Sequence, residues 1–195
     1  MTKYDEISPF YHVIGHNIKI EDMEMSQNLV GPIAWMIAIM KYKPTMVIEL
    51  GTCKGGFSSL ISRCTSHIDA EFHTFDIRKS LRYPLYGNST FHYGDWQQQI
   101  ELIKSWVLRQ GQCFFLCDNG NKPKEFNYFS DVIKPGDVIA AHDYADNAVF
   151  NTSWWWCSEI HDSDIKDTIA KNNLIPFETV WFDFSGWLVR QKALL

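Results

Sequence analysis

Short apolar runs alternate with amphipathic stretches from Thr45 to Tyr144, and nothing else in the 195-residue sequence limits its fold so sharply. "TMVIEL", "AEFHTFDI", "QCFFLCD" and "GDVIAAHDY" read as buried strands. Between them, "GFSSLISRC", "WQQQIELIKSWVLRQ" and "PKEFNYFSDVI" carry helical patterns, and "HYGDW" closes one more extended segment. Strands separated by helices pair in parallel and are covered on both faces, which predicts an α/β chain with a mostly parallel sheet. Upstream, Leu29, Ile33, Met36, Ile37 and Met40 recur at helical spacing and predict a helix from Ser26, near its N-cap, to Tyr42. Gly31-Pro32 sits early in that helix and Pro44 stops it. Residues 157–172 read as helical. "FETVWF", a turn at "DFSG" and "GWLVRQK" then predict a C-terminal antiparallel hairpin. No repeat, linker or low-complexity tract interrupts the pattern. We expect one domain over residues 26–195, preceded by an N-terminal arm, residues 1–25, with a turn or helix.

Composition narrows the function classes. The net charge of −5 comes without a Lys/Arg run, which argues against a nucleic-acid partner, since that needs a basic face. The five cysteines (Cys53, Cys64, Cys113, Cys117 and Cys157) are odd in number and lack CxxC spacing. A disulfide framework or zinc knuckle is not expected, and a reducing cytoplasm is. "MTKYDEISPF" has no signal-peptide pattern, and "VGPIAWMIAIM" is shorter than the roughly 20 residues of a membrane helix. No membrane partner is therefore expected. Eight Trp and 13 Phe suit a pocketed enzyme or the face of a homo-oligomer.

Ligands of open parallel sheets bind beyond the carboxyl ends of the strands. Glu49, Asp76, Asp95, Asp118 and Asp143 all fall at or just past strand ends, beside His142. The turn in "VIELGTCKGGFSS", from Val47 to Ser59, has Gly51, Gly55 and Gly56 to let a ligand approach the backbone, and a helix N-terminus behind them. A dinucleotide fingerprint aligned on Gly51 and Gly56 would place a glycine where Cys53 stands, and no Gly-Lys-Ser/Thr follows to make a phosphate loop.

The stretch resembles motif I of class I S-adenosylmethionine (SAM)-dependent methyltransferases. It has the E-x-G-T-x-x-G-x-S form of the catechol O-methyltransferase-like and cephalosporin-hydroxylase/macrocin O-methyltransferase-like branches. The resemblance runs from about Ser26 to Lys192. It implies a three-layer Rossmann-like methyltransferase fold with a mostly parallel seven-stranded sheet and a C-terminal antiparallel hairpin. By the same resemblance, Glu49, Gly51, Thr52 and Gly55 border the methionine part of SAM and Asp76 takes the ribose hydroxyls. Asp95 faces the adenine amino group with Trp96 beside the ring, and Asp118 also counts among the donor-binding residues.

In metal-dependent members of the family an Asp and an acidic or amide pair, ending neighbouring strands, hold Mg²⁺ beside the acceptor hydroxyl. Here the matching residues are Asp118, His142 and Asp143, a tentative metal set for Mg²⁺ or another divalent cation. Parallel neighbours lie about 4.8 Å apart, so carboxylates ending both strands can share an ion. A histidine in the pair is a departure, because imidazole is a poor Mg²⁺ ligand. Asn121 stands where some relatives keep a histidine base. His142 is thus open to three roles: general base with Asp118 and Asp143 beside it, metal ligand, or packed core histidine. Both a metal-assisted and a metal-free site stay open.

Other features carry less. Trp154, Trp155 and Trp156 cannot all face one pocket. Lys122 and Lys124 read as solvated lysines or contacts for an anionic substrate, and His12 and His16 as surface residues. The expectation is O-methylation of a small-molecule hydroxyl, catalysed by His142, Asp143 and Asp118. The alternatives are an NAD(P)-dependent or sugar-nucleotide enzyme on a related sheet, and a SAM-binding protein without turnover.

Overall fold

The computed structural model describes residues 18–20, 22–145, 159–182 and 185–194. His12, His16, Trp154, Trp155, Trp156 and Cys157 lie outside them. Two short strands, β1 (Ile18–Ile20) and β2 (Met23–Met25), pair antiparallel in a sheet of their own. The remaining strands are β3 (Met46–Leu50), β4 (Glu71–Asp76), β5 (Ser89–Tyr93), β6 (Cys113–Cys117), β7 (Val138–Ala141), β8 (Leu174–Pro176) and β9 (Leu188–Lys192). They form one seven-stranded sheet in the order β5-β4-β3-β6-β7-β9-β8. β3 to β7 pair in parallel, and β9 runs antiparallel to both its neighbours. The helices are α1 (Val30–Tyr42), α2 (Gly56–His67), α3 (Ile100–Val107), α4 (Lys122–Val132), α5 (Asp162–Lys171) and α6 (Thr179–Phe182), with a 3₁₀ turn over Trp96–Gln99.

Strand alternation divides the core into two layers. Val47, Phe114, Leu116, Val138 and Ala140 face α1 and α2, where Trp35, Ile39 and Ile61 are fully buried. Met46, Ile48, Phe115, Cys117 and Ile139 face the other way, onto Ile103 of α3, Phe126 and Phe129 of α4 and Ile165 of α5. Helices on both faces make the three-layer arrangement expected of the alternating pattern.

One local expectation is met in part, and others need correction. The described part of the N-terminal arm has the expected turn but no helix: it is a hairpin, with Met23 and Met25 buried against α2. Ser26 does not cap α1: Leu29 holds the N-cap position, and just before it the Asn28 side chain accepts from the Gly31 amide at 3.0 Å. The apolar periodicity that predicts this helix marks its outer side. Leu29, Ile33, Met36, Ile37 and Met40 are each 37–40% exposed, whereas Ala34, Trp35, Ala38 and Ile39 are buried. Pro32 is tolerated because first-turn amides have no intrahelical acceptor.

A further correction concerns the closing hairpin. Its first strand is Leu174–Pro176, not "FETVWF". Glu178 takes a left-handed φ of 46°, and its carbonyl accepts from the Trp181 and Phe182 amides, winding residues 179–182 into α6. Phe177 and Phe182 are thereby buried against Tyr42 and Trp35, which outweighs extension of the strand.

A histidine pair joins β4 and β5 away from the strand ends. His73 Nδ1 lies 3.1 Å from His92 Nε2; His73 stacks on Trp106 and His92 on Phe75. Glu71, paired with Arg109, faces His73 Nε2 at 3.3 Å. Burial lowers the pKa of both histidines, that of His92 to about 4. The unfolded chain takes up protons near pH 6.5, before the fold does, so stability falls as pH drops from about 6.5 towards 4. His92→Phe, which keeps a ring on Phe75, is expected to flatten that fall. Melting temperatures of both proteins at pH 7 and pH 5 check it; an unchanged difference contradicts it.

Candidate active site

The sheet order reverses between β3 and β6: one chain segment winds outward through β4 and β5, the other through β7. A crevice opens at such a switch point beyond the strand ends. Gly51 follows β3 and Asp118 follows β6, and the Asp118 amide donates to the Leu50 carbonyl at 2.8 Å. Gly51 has a φ of 104°, and a Cβ there would lie 2.1 Å from the Asp118 carbonyl oxygen. Only glycine allows this approach. At Gly56 a Cβ would lie 2.0 Å from the Glu24 carbonyl, so the small hairpin also presses on the turn. The resulting cavity is about 430 Å³, within the range of small-molecule sites. Glu49, Gly51, Thr52, Gly55 and Asp118 border it from the sheet, and Glu24, Met25 and Gln27 from the N-terminal side.

Glu49 is 1% exposed, and its Oε2 accepts from Ser58 Oγ and Thr74 Oγ1, each at 2.5 Å. Burial pushes its pKa up to about 8, so at pH 7 the side chain is mostly the neutral acid. Thr52 Oγ1 meets Thr74 Oγ1 at 2.6 Å, joining the Thr52 hydroxyl to the same network.

The other rim acids are used locally. Asp76 is buried; its Oδ2 accepts from the Cys53 amide at 2.7 Å and its Oδ1 from the Arg78 amide at 2.8 Å. It thus clamps the glycine turn to β4. Asp95 caps the 3₁₀ turn by accepting from the Gln97 amide at 2.9 Å, and Trp96 packs beneath it on Phe129. Asp76, Asp95 and Trp96 do not line the cavity; they lie at or just past the ends of β4 and β5. Ile77, just past β4, and Tyr93, at the end of β5, are each 56% exposed.

On the β6–β7 side the expected acceptor residues do meet. His142 Nδ1 is 3.1 Å from Asp118 Oδ1 and 3.4 Å from Asp143 Oδ1. Consecutive strand residues point to opposite faces. Asp143 escapes that rule through a φ of 57°, which turns its carboxylate back beside the His142 ring. Burial alone would lower the His142 pKa, but Asp118 and Asp143 together hold it above its ordinary value. The ring packs on Trp187, whose Nε1 donates to Gln27 Oε1 at 2.8 Å, while Gln27 Nε2 donates to Asp118 Oδ2 at 3.1 Å.

Lys122 completes the cluster. It is not a solvated lysine: its side chain is 5% exposed, with Nζ 2.6 Å from Glu159 Oε2, 3.1 Å from Asp143 Oδ2 and 3.7 Å from Asp118 Oδ1. Burial would lower its pKa, but these three carboxylates raise it, so the ammonium is firmly charged. It is the first residue of α4, where the helix dipole disfavours a cation. Lys124, by contrast, is exposed and donates to Gln97.

No family model and no curated protein matches the chain. Solved structures do. CmcI, in a structure with Mg and SAM, matches 90% of this chain and 77% of its own with a TM-score of 0.64 at 17% identity. The O-methyltransferase TomG from Streptomyces achromogenes, in complex with SAM, matches 100% and 91% with a TM-score of 0.54 at 13% identity. SAH-bound methyltransferase PaMTH1 from Podospora anserina matches 97% and 95% with a TM-score of 0.58 at 14% identity. The fold is that of a class I methyltransferase.

In a methyltransferase fold the β6–β7 cluster is where a divalent cation is implied. Asp118, His142 and Asp143 offer atoms within 4.8 Å of one another, near enough to share an ion. The chemistry of the donor set argues otherwise. Asp118 Oδ1 and Asp143 Oδ1 face His142 Nδ1, Asp118 Oδ2 faces Gln27 Nε2, and Asp143 Oδ2 faces the Lys122 ammonium. Every carboxylate oxygen of the set meets an N–H donor, so the residues as arranged do not fit an ion. Of the two readings that the sequence leaves open, this arrangement favours the metal-free one.

Gln27 escapes sequence reasoning at this methyltransferase-fold site, and the sequence reads Lys122 only as a solvated lysine or a contact for an anionic substrate. Lys122 had a signal, its place four residues past Asp118 at a helix start. Gln27 had none, since it comes from the connection between the hairpin and α1. Among the described residues no helix is long and apolar enough to cross a membrane.

Proposed function

We propose that the chain is a SAM-dependent methyltransferase that transfers the methyl group to a hydroxyl of a small molecule. The observation that carries the reading is the cavity at the β3–β6 switch point, bordered by the buried acid Glu49 and the Gly51 turn and opening at Asp118 onto the His142 cluster. SAM and SAH, bound in the structural neighbours, belong chemically in such a cavity. Glu49 and the turn take the amino-acid end of the donor, and Asp76 acts behind them by clamping the turn through the Cys53 amide. Asp95, with the apolar Ile77 and Tyr93, takes the adenine side.

His142 is the base. Its Nδ1–H donates to Asp118, so Nε2 carries the lone pair. The acceptor hydroxyl gives its proton to Nε2, and its oxygen attacks the methyl carbon in line. The C–S bond breaks with its electron pair left on sulfur, so the products are a methyl ether and SAH. Asp118 and Asp143 stabilise the imidazolium that forms. Thermal-shift titration separates this from an NAD(P) enzyme. SAM and SAH are expected to raise the melting temperature, by an amount equivalent to about 2.7 kcal/mol at a hundredfold excess over Kd, while NAD leaves it unchanged. A shift with NAD alone overturns the reading.

A further inference from the structure

We propose that Lys122 occupies the cation position of this site, so that the chain holds its acceptor end together with an internal ammonium and has no working divalent-metal site. The claim about the cluster is geometric; only its consequence for turnover rests on the methyltransferase reading.

Lys122 Nζ contacts Asp143 and Asp118 and is completed by Glu159, a carboxylate from the segment leading to α5. Three carboxylates around one buried ammonium leave it no exchangeable vacancy. An ion that entered would have to displace Lys122 from all three and hold its own charge against an ammonium a few ångströms away. It would also have to replace His142 and Gln27 as donors to Asp118. Mg²⁺ in particular requires near-octahedral oxygen ligands at about 2.0–2.1 Å, and the oxygens here are turned towards nitrogen donors. The left-handed Asp143 serves the same arrangement: its carboxylate spans His142 on one oxygen and Lys122 on the other.

The consequence is chemical. An acceptor reaching this cluster meets an imidazole base beside a fixed positive charge in place of an ion. Such a site does not need two adjacent oxygens able to chelate; a single hydroxyl within reach of His142 Nε2 is enough. Lys122 acts here by positioning the carboxylates.

Mn²⁺ titrated into the full chain and followed by electron paramagnetic resonance tests the claim without any methyl donor. The wild type is expected to leave Mn²⁺ free up to millimolar concentration. Lys122→Gln, which removes the charge at similar length, is expected to bind about one ion per chain, at least roughly tenfold more tightly. Lys122→Arg is expected to behave as the wild type does. Lys122→Ala repeats the gain in a variant with more room, and circular dichroism checks that each protein is folded. Micromolar Mn²⁺ binding by the wild type overturns the proposal whatever the variants do, and so does a failure of both neutral variants to gain affinity. If the Mn²⁺ pattern holds but SAM and SAH do not bind, the methyl-donor reading falls and the assignment of Lys122 stands.

Discussion

Replacing His142 by Gln is expected to lower methyl transfer by roughly 10²–10⁴-fold while donor affinity stays within a few-fold of wild type. The expectation follows from where the ring sits. Asp118 engages Nδ1 and Trp187 supports one face, so the ring presents a single lone pair, at Nε2. Glutamine keeps a polar group of similar reach but has no basic nitrogen. The donor cavity is bordered by Glu49, Gly51 and Asp118 and not by His142, which is why binding is spared. Asp118→Asn is expected to weaken both, because Asp118 borders the cavity and also orients the base. Single-turnover rates beside donor dissociation constants separate the two. A His142→Gln enzyme with full turnover would remove the base from the account.

Gly51→Ala is expected to be the most damaging single-methyl addition at the site. The added carbon meets the Asp118 carbonyl at 2.1 Å and its carbon at 2.5 Å, both backbone atoms that cannot rotate away. A left-handed φ on alanine adds about 1–3 kcal/mol and the overpacking a further 1–3 kcal/mol. Together they approach a large part of the 5–15 kcal/mol that holds typical domains folded. The two loops would have to part, and the cavity between them would change shape. Urea midpoints with an unchanged m value, together with loss of SAM and SAH binding, are the readout. Gly120→Ala is the control: a Cβ there meets nothing within 4 Å, so a change under about 0.5 kcal/mol is expected.

The parts of the fold visible in the sequence are those with an unambiguous period. β3, β4, β6 and β7 are continuous apolar runs ended by polar residues, and the parallel sheet follows from the helices between them. α1 was visible for the opposite reason to the usual one. It is apolar on both sides, so periodicity located the helix and could not tell its buried face, centred on Trp35, from its outer one. The closing hairpin failed on one residue: Glu178 adopts a left-handed backbone that no propensity would assign to glutamate. Its carboxylate pairs with Lys41, 137 positions earlier in the chain.

The site was legible as a row of acids and not as a network. Glu49, Asp118, His142 and Asp143 could be found because strand ends are where sheet proteins bind. Which carboxylate faces a ligand and which clamps backbone depends on the turns. Asp76 spends both its oxygens on amides of Cys53 and Arg78. Lys122 carries the opposite lesson: a lysine in a polar loop-to-helix junction looks solvated until three carboxylates from three segments close around it. The Asp118 contact is local, but those to Asp143 and Glu159 span 21 and 37 positions and have no local signature.

The most direct test of the account is calorimetric titration of the purified chain with SAH in two buffers of different ionisation enthalpy. Glu49 is mostly protonated at pH 7, and an α-ammonium group docking beside it would favour the carboxylate. The account predicts one SAH bound per chain with release of about one proton, and a Glu49→Gln protein that releases none. Absence of SAH binding, or binding whose proton release is the same in Glu49→Gln, would contradict it.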